Sequence, residues 1–423
     1  MEYQRRVLDD LLEELFPHLP AVAIEGAKGV GKTATARQHS RAEIQLDDPV
    51  RRQALEDHPE MILDSQSPLL IDEWQLVPHI WDHVRRAVDA DPSGGRFLLT
   101  GSATPAPGSR MHSGAGRITS VLMRPMSLAE RGVSEPTVSL ADLLRGTETK
   151  ITGQCQLGVP DYVAEILRSG FPGIRDLPEA ARWLQLDSYL ARIVDRDLPE
   201  NGVKVRRQQS LLAWLRACAA ATSTDASHAA ILDAATPGEP DKPARQTVAI
   251  YREYLERIFV LEPLPAWIPS FSPLKRLTHR PKHHLVDPAL AARLVGVAAT
   301  GLLQGKGPEV SPRTGTWLGA LFESLVTQSV RVHAQPLRAT VSHARTKNME
   351  HEIDLIVESD DLRVLAIEVK LAGRVVDADV KHLNWLQDKL GDRVIDRLVI
   401  NTGPYAYRRP DGVAVVPLGL LGP

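Results

Sequence analysis

Cysteine is nearly missing from this chain: Cys155 and Cys218 are the only two in 423 residues. They stand far apart and without metal-type spacing. That excludes a disulfide framework and a structural zinc site, and it suits a reducing, cytoplasmic setting. An excess of charge of one sign is also lacking. With 50 basic and 53 acidic residues the formal net charge is -3, so nothing pulls the whole chain toward nucleic acid. Any such surface has to be a local patch. Long apolar runs are absent too, and no stretch reaches the roughly 18 residues a membrane-spanning helix needs. The first residues, Met1 to Arg6, lead into Leu8, Leu11, Leu12, Leu15 and Phe16 with acids between. That pattern is an amphipathic helix, not a secretory leader. The length suggests two or three domains, and 43% hydrophobic with 24% charged residues is ordinary globular composition.

What is present is more specific. Gly26-Ala27-Lys28-Gly29-Val30-Gly31-Lys32-Thr33 matches the phosphate-binding pattern G-x-x-x-x-G-K-[ST] in full. The glycines let the backbone curl with its N–H groups facing an anion. Lys32 adds a point charge for the β- and γ-phosphates, and the Thr33 hydroxyl is a Mg²⁺ ligand. Ala21 to Glu25 before the loop reads as a buried strand, and Thr33 to Gln38 after it as a helix.

Pro68-Leu69-Leu70-Ile71-Asp72-Glu73 is an apolar run that ends in two carboxylates. It reads as a buried parallel strand with its acids at the carboxyl end, where α/β sheets bind ligands. Asp72 is placed to hold Mg²⁺, and Glu73 to polarise an attacking water. A third strand, Arg96 to Thr100, ends in Gly101-Ser102. Thr100 and Ser102 are both candidates to sense the γ-phosphate. Beyond it, Arg117 and Arg124 are candidates to reach the γ-phosphate of this or a neighbouring subunit, or to form surface salt bridges.

With these motifs in place, residues 1–135 resemble a AAA-type P-loop ATPase. The wider chain resembles a prokaryotic family that joins such an ATPase to a C-terminal domain of unknown function. The resemblance rests on GAKGVGKT, LLIDEWQ, LLTGSAT, and Arg117 ahead of RPMSLAE. It implies ATP and Mg²⁺ as cofactors, Glu73, Lys32 and Arg117 as catalytic residues, and assembly of several copies.

Residues 136–300 read as mostly helical. Trp183, Leu184, Leu186, Tyr189, Leu190 and Ile193 recur at helical spacing, as do Leu211, Leu212, Trp214, Leu215 and Cys218. A short helix near Ser227, a Pro/Gly-rich turn from Thr236 to Pro243 and a helix carrying Val248, Tyr251, Leu255 and Ile258 follow. Then Ile258 to Leu264 turns β-like. This is the order of a winged-helix module, shared by the helical lids of ATPases. Lys275 to His284 holds four fixed positive charges, three histidines and no acid. It is either a nucleic-acid patch or a charged strand edge. Gly101 to Gly116 reads as a mobile loop, and Gly296 to Gly315 as a linker.

Residues 301–423 carry a second chemical pattern. A helix from Trp317 to Val326 contains Glu323. In the strand His351 to Val357, Glu352 and Asp354 share one face; in the strand Val364 to Lys370, Glu368 and Lys370 do. A helix from Val380 to Leu390 and a strand from Arg397 to Ile400 complete the order. It resembles the PD-(D/E)xK nuclease fold, an α/β restriction-endonuclease-like domain. The resemblance implies Asp354, Glu368 and Glu323 as ligands of Mg²⁺ or Mn²⁺, with Lys370 orienting or deprotonating the bound water. Only Gln387 answers the Gln that such folds carry on the next helix.

The expectation is an α/β chain that hydrolyses ATP and couples this to DNA binding or to metal-dependent DNA cleavage. The alternative is an ATPase switch whose last domain binds protein or nucleic acid without cutting.

Overall fold

A computed structural model describes residues 3–102, 114–146, 149–197, 208–235, 245–269, 280–308, 316–346 and 350–423. The central part of the expected mobile loop, the Thr236–Pro243 turn, the first half of the basic stretch and the end of the expected linker lie outside them. The chain divides into two compact units. The first comprises residues 1–125 with Tyr254–Val260, and the second the remainder. The expected last domain and the expected middle module, apart from Tyr254–Val260, fall in the second unit.

The first unit is built on five strands: β1 (Ala21–Glu25), β2 (Ala42–Gln45), β3 (Leu69–Asp72), β4 (Phe97–Gly101) and β5 (Ile118–Leu122). Their order is β2-β3-β4-β1-β5, and every pairing is parallel. The inner strands β3 and β4 are buried along their whole length, as parallel strands covered on both faces must be. Their apolar side chains pack with Trp74, Ile80, Trp81, Val84 and Val88 into one core. Register places Glu25 beside Gly101 and Asp72 beside Thr100. The ends of β1, β3 and β4 therefore open at one edge, and the residues that follow them meet there.

The second unit holds a seven-stranded mixed sheet. Its strands are β7 (Gly153–Gln154), β8 (Thr340–Arg345), β9 (Glu352–Glu358), β10 (Val364–Val369), β11 (Val394–Asn401), β12 (Tyr405–Arg408) and β13 (Ala414–Pro417), in the order β7-β12-β13-β11-β10-β9-β8. A two-stranded parallel pair joins β6 (Val138–Ser139) to β14 (Leu421–Gly422). The hairpin β8-β9-β10 is antiparallel, while β10, β11 and β13 run parallel. Central β10 is buried at every position. The helix Asp377–Leu390 covers it by sending Val380, Leu383 and Leu386 into a core with Ile353, Ile356, Ala366 and Val399. The helix Trp317–Ala334 is capped by the Thr316 side chain and is buried on nearly all sides.

Helices dominate residues 159–303, as their periodicity predicts. The β-like stretch after Ile258 forms isolated antiparallel bridges, Leu261 with Leu285 and Leu264 with Lys282. Within this unit Arg131 is buried, and its guanidinium ties three segments together. It donates to the Met126 carbonyl at 3.0 Å, to the Glu165 carbonyl at 2.8 Å and to Gln328 Oε1 at 3.1 Å, and pairs with the Glu165 carboxylate at 3.3 Å. Replacing it leaves the Met126 and Glu165 carbonyls and Gln328 without this donor, while the Glu165 carboxylate keeps Arg168 and Arg175. Arg131→Ala is expected to cost about 1–3 kcal/mol, read as a lower chemical-denaturation midpoint.

Candidate functional site

The loop between β1 and the helix Lys32–Gln38 depends on glycine at two points. Gly26 has φ 149°, and a Cβ there would lie 2.2 Å from the Met123 carbonyl oxygen. Gly31, with φ 104°, turns the chain into the helix. The curl leaves Lys32 buried, with its Nζ donating to the carbonyls of Gly26 at 2.8 Å and Ala27 at 2.9 Å. Burial lowers its pKa to about 8, against the opposing pull of Glu73 and Asp72. Lys28 lies on the exposed side of the loop, and Val30 is buried.

Thr33 Oγ1 donates to Asp72 Oδ1 at 2.7 Å, and Thr100 Oγ1 donates to the same oxygen. The two residues expected to share Mg²⁺ are thus side by side before any ion arrives. Glu73 sits in the left-handed region at φ 56°, ψ 41°, a conformation uncommon for a non-glycine residue and found at functional sites. Its carboxylate accepts from Gln75 Nε2 and from Ser102 Oγ at 3.4 Å. Gln75 Nε2 also reaches Ser102 Oγ at 3.3 Å.

The structure brings Lys32, Thr33, Asp72, Glu73, Thr100 and Ser102 together. Arg117 lies elsewhere. It is half exposed, pairs with Asp89 at 2.8 Å and donates to the Ala115 carbonyl. That is the surface salt bridge left open as its alternative role. Two residues were missed. Gln75 lies in the quoted LLIDEWQ string, but nothing in the string assigns it a role. Arg6 is buried and donates to the Val30 carbonyl in the loop at 2.9 Å and to the Arg124 carbonyl at 2.9 Å. Its position 24 residues ahead of Val30 leaves no sequence signal.

In the second unit, Glu323, Glu352 and Asp354 also meet, but around a lysine. Lys282 Nζ lies 2.9 Å from Glu323 Oε1, 3.2 Å from Glu352 Oε1 and 3.0 Å from Asp354 Oδ1. Burial alone would lower the lysine's pKa; the three carboxylates outweigh it and hold the ammonium well above its ordinary value. Burial pushes the Glu323 carboxyl up to about 8. Asp354 goes the other way, because Lys282, Lys370 and the Val369 N–H outweigh its burial. Glu368 pairs with Lys370 at 2.8 Å, and its Oε2 is buried with no hydrogen-bond partner. Gln387 donates to Gly391 at the end of its own helix.

The ligand set read from sequence therefore does not fit a divalent ion here. Glu323 and Asp354 are bonded to Lys282, and Glu368 to Lys370. Among the described residues, no group of three or more His, Cys, Asp or Glu is arranged to hold a metal. The described part of the basic stretch also departs from expectation. Lys282 and His284 are buried, and His283 bonds the Ala226 carbonyl, so these side chains do not form a solvated basic edge. Among the described residues no helix is long and apolar enough to cross a membrane.

Comparison with known proteins matches three segments of the chain. Residues 18–131 match a family model described as an AAA domain. Residues 159–301 and 318–421 match two domains of unknown function, DUF8612 and DUF4143. Uncharacterized protein Rv2008c of Mycobacterium tuberculosis (strain ATCC 25618 / H37Rv) is 25% identical over 434 residues, covering 99% of this chain and 84% of its own. Uncharacterized protein Mb2031c of Mycobacterium bovis (strain ATCC BAA-935 / AF2122/97) matches to the same extent. Among solved structures, the Walker-type ATPase PABY2304 of Pyrococcus abyssi overlaps with 15% identity and a TM-score of 0.36, over 68% of this chain and 94% of that one. Drosophila ORC bound to DNA overlaps with 13% identity and a TM-score of 0.25, over 61% of this chain and 86% of that one.

The Lys32 environment makes a pH-dependent prediction. Its folded-state pKa of about 8 lies below the ordinary 10.5, so the unfolded chain holds the proton more tightly. Stability from this group therefore rises with pH between those two values. Nucleotide-free Lys32→Met is expected to melt higher than wild type at pH 7. The gap should narrow as pH climbs from about 8 toward 10.5, read by thermal denaturation.

Proposed function

We propose that the N-terminal unit binds ATP with Mg²⁺ and hydrolyses it, and that the chain uses this cycle as a conformational switch. The observation that carries the reading is the buried Lys32 ammonium, held by two carbonyls of its own loop. A carbonyl dipole is a weak substitute for an anion, so arriving phosphate oxygens would take over those hydrogen bonds. Bound nucleotide with Mg²⁺ supplies the electrophilic phosphoryl group and its charge neutralisation. Thr33 and Asp72, already bonded to each other, would hold the ion. Glu73 takes the proton of the attacking water, and Gln75 and Ser102 hold its carboxylate in position.

Lys32→Ala is expected to abolish ATP binding and turnover. Glu73→Gln should keep binding and lose roughly 10²–10⁴-fold in kcat. Gln75→Ala should lower kcat with KM little changed, as loss of a positioning contact does. Undiminished hydrolysis by Lys32→Ala would overturn the site, and full activity of Glu73→Gln would overturn the base.

The readings of the second unit are finer. Helix order supports a winged-helix-like character for residues 136–300. The hairpin followed by a helix and a parallel strand supports a restriction-endonuclease-like character for residues 301–423. Metal-dependent DNA cleavage is the stronger claim on that fold. We favour the alternative, a non-cutting module that engages a protein or nucleic acid under control of the nucleotide state, because a lysine already stands among its acids. Assembly with further copies belongs to the same proposal.

A further inference from the structure

We propose that Lys282 is a built-in counter-cation: its ammonium takes the place among Glu323, Glu352 and Asp354 that a divalent ion would otherwise fill. This rests on the reading of the second unit as a non-cutting module and gives that reading its physical cause.

The geometry is that of an ammonium centre. A lysine has three N–H donors and no acceptor. Here Glu323 Oε1 and Asp354 Oδ1 accept hydrogen bonds at 2.9 and 3.0 Å, and Glu352 Oε1 completes the ion pairing at 3.2 Å. A magnesium ion would need oxygens about 2.0–2.1 Å away in an octahedron, and calcium about 2.3–2.6 Å. The lysine is also fixed from behind. Its backbone N–H donates to the Leu264 carbonyl at 2.9 Å, and its carbonyl accepts from the Leu264 N–H at 2.8 Å. Swinging the ammonium aside would leave it buried and unpaired, which is among the costliest changes a protein interior can undergo.

Each acid is likewise committed. Glu323 comes from a helix that is buried almost throughout. Asp354 turns its second oxygen to the Val369 N–H at 3.0 Å. Glu352 has its second oxygen 3.5 Å from Arg345 Nε. Glu352 is thus the third acid paired with one ammonium. Lys370 adds a second positive charge nearby, bonded to Glu368 at 2.8 Å. A divalent ion entering the cluster would meet both lysines.

Removing the ammonium should expose a latent cation site. The test uses the full chain without nucleotide, Mn²⁺ uptake by electron paramagnetic resonance, and thermal denaturation with and without Mn²⁺. Wild type is expected to show no Mn²⁺ site that is sensitive to Asp354→Asn. Lys282→Ala should melt lower, bind Mn²⁺ roughly tenfold or more tighter than wild type, and regain part of its lost melting temperature when Mn²⁺ is added. Asp354→Asn in the Lys282→Ala background should cancel that gain. Mn²⁺ uptake by wild type that Asp354→Asn abolishes would overturn the assignment, and this holds even if Lys282→Ala does not fold. So would a folded Lys282→Ala with no gain in Mn²⁺ affinity. DNA cleavage by the same wild-type samples separates the two claims. Cutting that requires Mn²⁺ and Glu368 would overturn the non-cutting module as well, whereas Mn²⁺ uptake without cutting would overturn only the role of Lys282.

Discussion

A lysine ammonium taken out of water must be met by oxygen, and two such lysines decide what this molecule can do. Lys32 is met by two backbone carbonyls, and Lys282 by three carboxylates. Carbonyl dipoles compensate a buried charge only in part, so the first site stands ready for an anion. Acid groups from three residues surround the second ammonium, so that site is already satisfied. The same side chain at the same depth thus makes one site receptive and the other closed. The difference lies in the charge of the oxygens, not in the number of hydrogen bonds.

The receptive site was legible in the sequence because its parts are local. Gly26, Gly31, Lys32 and Thr33 fall within eight residues, and each has a reason to be its own type: φ above zero, a point charge, a hydroxyl. The apolar runs before Glu25, Asp72 and Gly101 announce buried parallel strands, and parallel strands bring their ends together without further information. What remained hidden was long-range. Arg6 reaches the loop from the N-cap of a helix whose pattern speaks only of amphipathicity. Arg117 sits near a motif in the chain but is tied to Asp89 on the helix Ile80–Ala90.

The closed site shows the limit more sharply. Its helix, its hairpin and the face shared by Glu352 and Asp354 follow from periodicity, and the structure forms them. The lysine at its centre lies 41 residues before Glu323 and 72 before Asp354, inside a string of basic residues and histidines. Any local reading treats such a string as surface, since lysine is seldom fully buried. Backbone pairing with Leu264 carries Lys282 inward, and neighbouring bridges hold His283 and Leu285. A pattern of acids says that a cation is wanted; it does not say whether the cation is a metal or a side chain.

That distinction bears on how the second unit can act. A metal centre in a nuclease-like sheet has a reason to stay open, because substrate oxygens must complete the coordination. An ammonium centre has none, and its acids become cross-links instead. Glu323 belongs to the helix Trp317–Ala334, Glu352 and Asp354 to β9, and Lys282 to the segment bridged with Leu264. One ammonium thus joins three parts of the chain at a point where catalysis would require a gap. On the proposed reading, such a part serves transmission or recognition, and the free energy of nucleotide hydrolysis is spent at the site around Lys32.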